Sequence, residues 1–420
     1  MRLHNMVVGV AAVCCATASF AQERLTVEQA VELAVKGNLR LLSVEKRAVA
    51  SHDVALSTGA RLLPGVRLSE EYQHWDCPFA IDFTPPAFAS GCQKSPAMLV
   101  ARKQDTNSFA AVVNQPLVGL LHTGFDYAAQ RSNAKASDAV AKITEAQVVQ
   151  VVRTLFLQYF ESRALEQIAA ASATELADQV TVAQARIKAG VITNADLLRV
   201  MVAQANARQQ QIAAHTQGLV AKTTLLDAIG MQSDATVELV EPTALLSMAA
   251  RPLPELRAAT AQAEDKRPEV AQATLTAHAA EHARTARYLA LLPEVDAEGG
   301  YVRTDGQLFA PPNQWFVGLK ATWNIWEWGA SFFQARAASH QADASLLEQE
   351  NERRQVALEV RNTAAQAQAA AVVVDVAQQA IGSAQEAYRV TQALLQAGDV
   401  QPVGSGIAQP GSLVAHARRF

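Results

Sequence analysis

From Phe125 to Ala189 the chain has neither glycine nor proline. Nothing in that stretch stops a helix once it has started, and at 1.5 Å per residue it would run roughly 100 Å, several times the width of a small domain. Aromatic residues are scarce, 6% of 420, too few for the two or three ordinary cores this length would otherwise suggest. Neither charge is in excess: 36 basic and 40 acidic residues leave a net charge of −4, so a polyanion, nucleic acid included, is not an expected partner. Beyond the first residues no apolar run approaches the ~20 that a membrane helix needs. If the mature chain meets a membrane, it does so as β-structure.

What remains is an elongated, helix-rich body. Ala, Gln, Glu, Leu, Arg and Lys fill the long stretch, and Val148, Val152, Leu155 and Tyr159, then Ala164, Ile168 and Ala171, recur at helical spacing, as in a coiled coil. Met1–Ala21 has Arg2, an apolar run from Met6 to Ala18, and Ser19-Phe20-Ala21 before Gln22, the pattern of a secretion signal cleaved near Gln22. Cys14 and Cys15 follow Ala12-Val13, which does not read as a lipid-attachment box.

One unit is used twice. Leu62-Leu63-Pro64 with Tyr72 matches Leu291-Leu292-Pro293 with Tyr301 at one offset (293 − 64 and 301 − 72 are both 229). The first repeat, residues 22–240, predicts a short helix with Thr26 as N-cap that ends at Gly37-Asn38, and a second helix over Leu39–Ala60. Val66, Leu68 and Tyr72 then alternate with polar residues, Glu70 being the exception, and Phe109, Ala111 and Val113 alternate again before Gln115-Pro116. Between them lies a long polar loop with Trp75, Cys77, Pro85-Pro86 and Cys92. Four strands in two hairpins follow: Val66–His74 with Ser108–Gln115, and Glu294–Arg303 with Gln314–Trp323. Each second strand returns to a long helix through a glycine, Gly124 or Gly329. A helical hairpin over about 124–230 turns at Ala189–Thr193, with Thr193 or Asn194 capping the return helix. Residues 241–254 read as a connector, and the second repeat, 255–398, carries its long helix over about 330–397. Four strands cannot close a barrel, and open edges are costly in lipid, so closure needs further copies.

These stretches resemble a TolC-family outer membrane efflux protein. The matching residues are LTVEQAVELAVKGN from Leu25, RLLPGVRLSEEY from Arg61, Gln115-Pro116-Leu117, AGVITNADLL from Ala189, ALLPEVDAEGGY from Ala290 and WNIWEWG from Trp323. The resemblance implies a mainly α fold with a small β part: long antiparallel helical hairpins, and four transmembrane strands per protomer of a trimeric barrel. It also implies a homotrimer in the outer membrane that reaches into the periplasm, with a periplasmic adaptor and an inner-membrane pump as partners, outer membrane lipid around the barrel, no catalysis and no cofactor. The adaptor-docking tips map to Ala189, Gly190, Val191, Ile192 and Thr193, and to Ala397, Gly398, Asp399 and Val400. Asp196 and Arg199, just past the first tip, occupy the region where family members can carry an acidic gate. Their counterparts near Gly404 and Ile407 are uncharged, which favours a solvated ion pair.

His278-Ala279-Ala280-Glu281-His282 spells the H-x-x-E-H of inverted zinc peptidases. No acidic ligand segment follows, and the matching Val49–Asp53 lacks the histidine pair, so a solvated helix face is the reading and no metal or catalytic residue is expected. Cys77 and Cys92 share one loop outside the cytoplasm, which suggests a disulfide, and Trp75, Trp315 and Trp323 suggest an interfacial aromatic girdle. After Gly398, Pro402, Gly404, Gly406, Pro410 and Gly411 break the stretch that should return as a helix. The expectation is an aberrant tail over 399–420, produced by a reading-frame change, in a chain that forms few working trimers. The competing class is a periplasmic coiled-coil adaptor, which has no need of duplicated amphipathic hairpins.

Overall fold

A short helix followed by a longer one stands near the start of each half of the chain, which in this computed structural model is described over residues 23–82, 98–232, 235–243 and 252–397. Strand β1 (Glu23–Leu25) leads to α1 (Val27–Gly37) and α2 (Leu39–Ala60), then to strands β2 (Gly65–His74), β3 (Phe79–Asp82) and β4 (Met98–Pro116). Two long helices follow, α3 (Gly119–Lys188) and α4 (Asn194–Ala228), and then β5 (Val237–Leu239). The second half supplies α5 (Leu256–Lys266), α6 (Pro268–Leu289), β6 (Glu294–Gln307), β7 (Asn313–Thr322) and α7 (Ala330–Ala397). α1 and α5 have 11 residues each and α2 and α6 have 22 each; α5, α6 and β6 begin 229 positions after α1, α2 and β2 (256 − 27, 268 − 39, 294 − 65). The signal segment, Cys92, Gly398–Val400, the tail after 398 and most of the connector lie outside the described residues.

Helix ends follow local chemistry. Thr26 opens α1 with a capping box: the Gln29 N–H donates to Thr26 Oγ1 and the Thr26 N–H donates to Gln29 Oε1, satisfying two groups that the first turn leaves unpaired. α3 ends in a Schellman arrangement at Gly190 (φ 74°), with the Val191 N–H bonded to the Arg186 carbonyl and the Gly190 N–H to that of Ile187. Gly230 (φ 76°) closes α4 in the same way. One expectation needs correction: α3 starts at Gly119, and Gly124 lies inside it. Pro116 ends β4 and the Leu117 and Val118 N–H groups donate to the Val295 carbonyl, so the chain has already turned before Gly124. In the second half Gly329 (φ 79°) does precede the helix, as expected.

The chain divides into two units, each drawing on both halves of the sequence. One takes the described residues of 1–38, 147–252 and 369–420. Its core gathers Val27, Ala30 and Ala34 of α1, Val148, Val152 and Phe156 of α3, and Leu225 and Leu226 of α4 with Ile229. Leu25, Val237 and Leu239 close it from the parallel pair β1–β5. Phe156, Leu225 and Leu226 are fully buried, each contributing about 2–3 kcal/mol of transfer free energy. In this unit Glu166 of α3 meets His215 Nδ1 of α4 at 2.5 Å, and a Cβ on Gly218 would stand 3.2 Å from Glu166 Oε2.

The other unit takes the described residues of 39–146 and 253–368. Some of its buried helix positions recur every seven residues or a multiple: Leu41, Ala48 and Ala55 on α2, Val270 and Ala277 on α6, Ala335, Ala342 and Val356 on α7. A seven-residue period is that of coiled-coil packing, and the many alanines allow close approach. His52 Nε2 lies 2.9 Å from Asp138 Oδ2 between α2 and α3, and Gln349 donates to Thr274 between α7 and α6. This unit also carries the sheet, ordered β2-β4-β6-β7 with β3 on the outer half of β4.

The sheet revises three boundaries. β4 begins at Met98 rather than Ser108, β6 reaches Gln307 rather than Arg303, and β3 sits inside the segment expected to be a polar loop. Polar residues on both faces, from Arg102 to Asn107, hide the alternation there; β4 pairs with β3 up to Arg102 and with β2 from Asp105, and its register with β6 shifts between Arg102 and Asn107. The two expected hairpins are joined by the β4–β6 ladder into one sheet.

Candidate functional site

Partners across a ladder point to the same side, so the register assigns every strand residue to a face. One face carries Val66, Leu68 and Tyr72 of β2, Phe109, Ala111 and Val113 of β4, Ala297, Gly299 and Tyr301 of β6, and Trp315, Val317, Leu319 and Ala321 of β7. The opposite face carries Arg67, Ser69, Glu71 and Gln73, then Ser108 and Asn114, Asp296 and Glu298, Gln314, Lys320 and Thr322. Glu70, the exception in the alternation, sits opposite Phe109 in a row with Arg303 and Asn313, and Asn107 donates to its carboxylate. The polar substitution is therefore a row at one margin of the apolar face. Water on one side and an apolar medium on the other is what such a sheet matches.

Aromatic residues bound the apolar band. At one end Tyr301 and Trp315 hold their rings 5.0 Å apart. Beyond them Tyr72 and His74 both contact Asp105, and Trp75 donates to Thr106 while Arg102 stacks on its ring, 3.6 Å from the centroid. At the other end, Trp323, Ile325, Trp326 and Trp328 are exposed, and Trp326 and Trp328 meet edge to face at 5.6 Å. Trp328 has φ 53°, a left-handed conformation that costs a bulky residue about 1–2 kcal/mol. Both end strands of the sheet, β2 and β7, are exposed along all ten residues, and neither has a partner on its outer edge among the described residues. The sheet is built to be continued.

Of the expected tip residues, Ala189–Thr193 form the turn between α3 and α4, and Ala397 ends α7; Gly398, Asp399 and Val400 are outside the described residues. Asp196 is the partner of Thr193 in a capping box, accepting from Thr193 Oγ1 at 2.7 Å and from its N–H at 3.1 Å, with Arg199 at 3.3 Å. The Thr193 hydroxyl and backbone N–H, ahead of the Arg199 charge, hold the Asp196 carboxyl below its usual range. His278 and Glu281 are an exposed pair 3.4 Å apart, and His282 faces Phe125 with ring centroids 6.1 Å apart. Among the described residues no three His, Cys, Asp or Glu side chains could share a metal ion. Cys77 is held in a disulfide, and Cys92 lies outside the described residues.

Residues 259–405 match the family described as outer membrane efflux protein. The match spans about a third of the chain. Its fold is similar to that of CusC, at TM-score 0.75 and 16% identity, over 94% of this chain and 85% of that one. It is similar to the outer membrane protein VceC of Vibrio cholerae, at TM-score 0.74 and 13% identity, over 94% and 90% of the two chains. It is also similar to the CmeC outer membrane channel of Campylobacter jejuni, at 0.74 and 13%, over 94% and 81%. No curated protein sequence matches the chain. The fold is the one that these outer membrane channels share.

Within this efflux-protein fold, three features escape the alternation pattern. Phe316 lies on the polar face, seated over Gly300. The aromatic cluster reaches past Trp323 to Trp326 and Trp328, and β3 adds a strand at the far margin. Gly299-Gly300 facing an aromatic strand is the one sequence signal that could have revealed the first.

Proposed function

We propose that copies of this chain close their open sheet edges on one another, as a homotrimer, to form a β-barrel in the outer membrane that conducts solutes delivered by an inner-membrane pump. One observation carries the reading: a sheet with a continuous apolar face, a polar face behind it and two unpaired edges. In lipid an open edge leaves backbone groups without hydrogen bonds at several kcal/mol each, so a stable spanning sheet has to be closed. From Trp315 to Trp323 a strand rises about 26 Å, or about 20 Å of height at a 40° tilt, close to the apolar band of an outer membrane barrel. Trp326 and Trp328 extend the girdle at that margin, with Tyr301, Trp315 and Tyr72 at the other. The signal segment is cleaved near Gln22, the Ala189–Thr193 turn docks a periplasmic adaptor, and Cys77 pairs with Cys92.

Fractionation of cells expressing the chain tests this. The expected result is an outer-membrane protein that runs as a heat-modifiable oligomer and conducts ions in a planar bilayer. A soluble monomer in the periplasmic fraction would contradict it and return the adaptor reading.

A further inference from the structure

We propose that Glu298 and Phe316 form a subsite on the channel wall for lipophilic organic cations, an inference that rests on the channel reading and adds a substrate class to it. Across the β2–β4, β4–β6 and β6–β7 ladders Phe316 is the only aromatic residue on the polar face, and it is 38% exposed. Its position is fixed from below. A Cβ on Gly300 would stand 3.1 Å from Phe316 Cε1 and 2.6 Å from the Ala111 carbonyl oxygen, so only glycine fits beneath the ring. The ring is held on the wall, with its outer side open.

Glu298 is two residues before Gly300 on the same face, with Gly318 opposite it on β7 and Asn114 on β4. A Cβ on Gly318 would meet nothing within 4 Å, so the space beside the carboxylate is open. No hydrogen bond or ion pair engages Glu298 among the described residues. Of the cations on this face, Lys320 stands directly opposite Asp296, and Arg67 lies two strands away in the row of Gly300. The Glu298 charge is left for a mobile partner.

A tetraalkylammonium-type ion suits this pair. Its charge is spread and weakly hydrated, so it gives up little water to sit against a ring face, and the carboxylate beside the ring attracts it. Potassium keeps its hydration shell and gains only the Coulomb attraction, which salt screens within about 10 Å at 0.1 M. Neutral solutes and anions gain neither.

The experiment uses the full chain in planar bilayers in 0.1 M potassium chloride, with tetrabutylammonium chloride as the blocking probe. Phe316→Leu is expected to raise the half-blocking concentration about two- to fivefold, the range of an exposed cation–π contact, and Glu298→Gln about as much, the range of an exposed charge pair. Glu70→Gln, on the other face, is expected to leave it unchanged. Equal half-blocking concentrations in a conducting wild type, E298Q and F316L would overturn the subsite and leave the channel reading standing. A wild type that conducts no ions would overturn both.

Discussion

α1 and α5 have the same length and carry their apolar residues at matching positions, Val27, Ala30 and Ala34 against Leu256, Ala259 and Ala263, yet only α1 is buried. Val27 is 3% exposed and Leu256 45%; α5 has no buried residue at all. The difference lies in what each helix meets. α1 is covered by Leu225 and Leu226 of α4, with Ile229, and by Phe156 of α3, and no described residues supply α5 with that cover. Amphipathic pattern makes a helix, and a tertiary partner makes a core. The starts differ too: α1 and α4 open with capping boxes, while Glu255 and Arg267 before α5 and α6 make no side-chain cap bond.

The contrast is open to test, the largest effect first. Phe156→Ala should cost about 3–5 kcal/mol through transfer and cavity terms, whereas Leu256→Ala should change stability by less than about 0.5 kcal/mol as an exposed substitution. Denaturant unfolding of the two variants measures both; comparable losses would mean that α5 is buried in solution. Thr26→Ala should cost about 1 kcal/mol, the worth of an N-cap, and Glu255→Ala close to nothing. The smallest effect concerns the second capping box. Because the Asp196 carboxyl is held below its usual range in the folded chain, its contribution is complete above the ordinary carboxylate pKa and is lost as pH falls through the depressed value. Amide exchange in the first turn of α4 should therefore speed up in acid, while in Asp196→Asn it should be fast already at neutral pH and lose that acid dependence.

Much of this architecture was legible in the sequence because it rests on local chemistry. The absence of breakers gave the long helices, Thr26 and Thr193 marked two starts, Gly190 marked a turn, and the 229-residue offset carried over to whole elements. What was not legible depends on partners distant in sequence. β1 and β5 are three residues each and exist through one another. The Gly124 expectation failed because the turn is made by Leu117 and Val118 on the Val295 carbonyl. Of the candidate site, the apolar face was readable from alternation along β2 and β7. The seat of Phe316 over Gly300 was not, since it depends on how closely β4 approaches β6. Asp196, considered as a gate, is occupied with capping α4.

The most direct test of the two-faced sheet is an aspartate scan along β7, read out as heat-modifiable oligomer in the outer membrane. Val317 and Leu319, 94% and 73% exposed on the apolar face, should each lose assembly when replaced by Asp, at a cost of a few kcal/mol for a charge facing lipid. Gly318→Asp, on the polar face between them, should be much milder. Equal losses at all three positions would contradict the assignment of one face to lipid and the other to water.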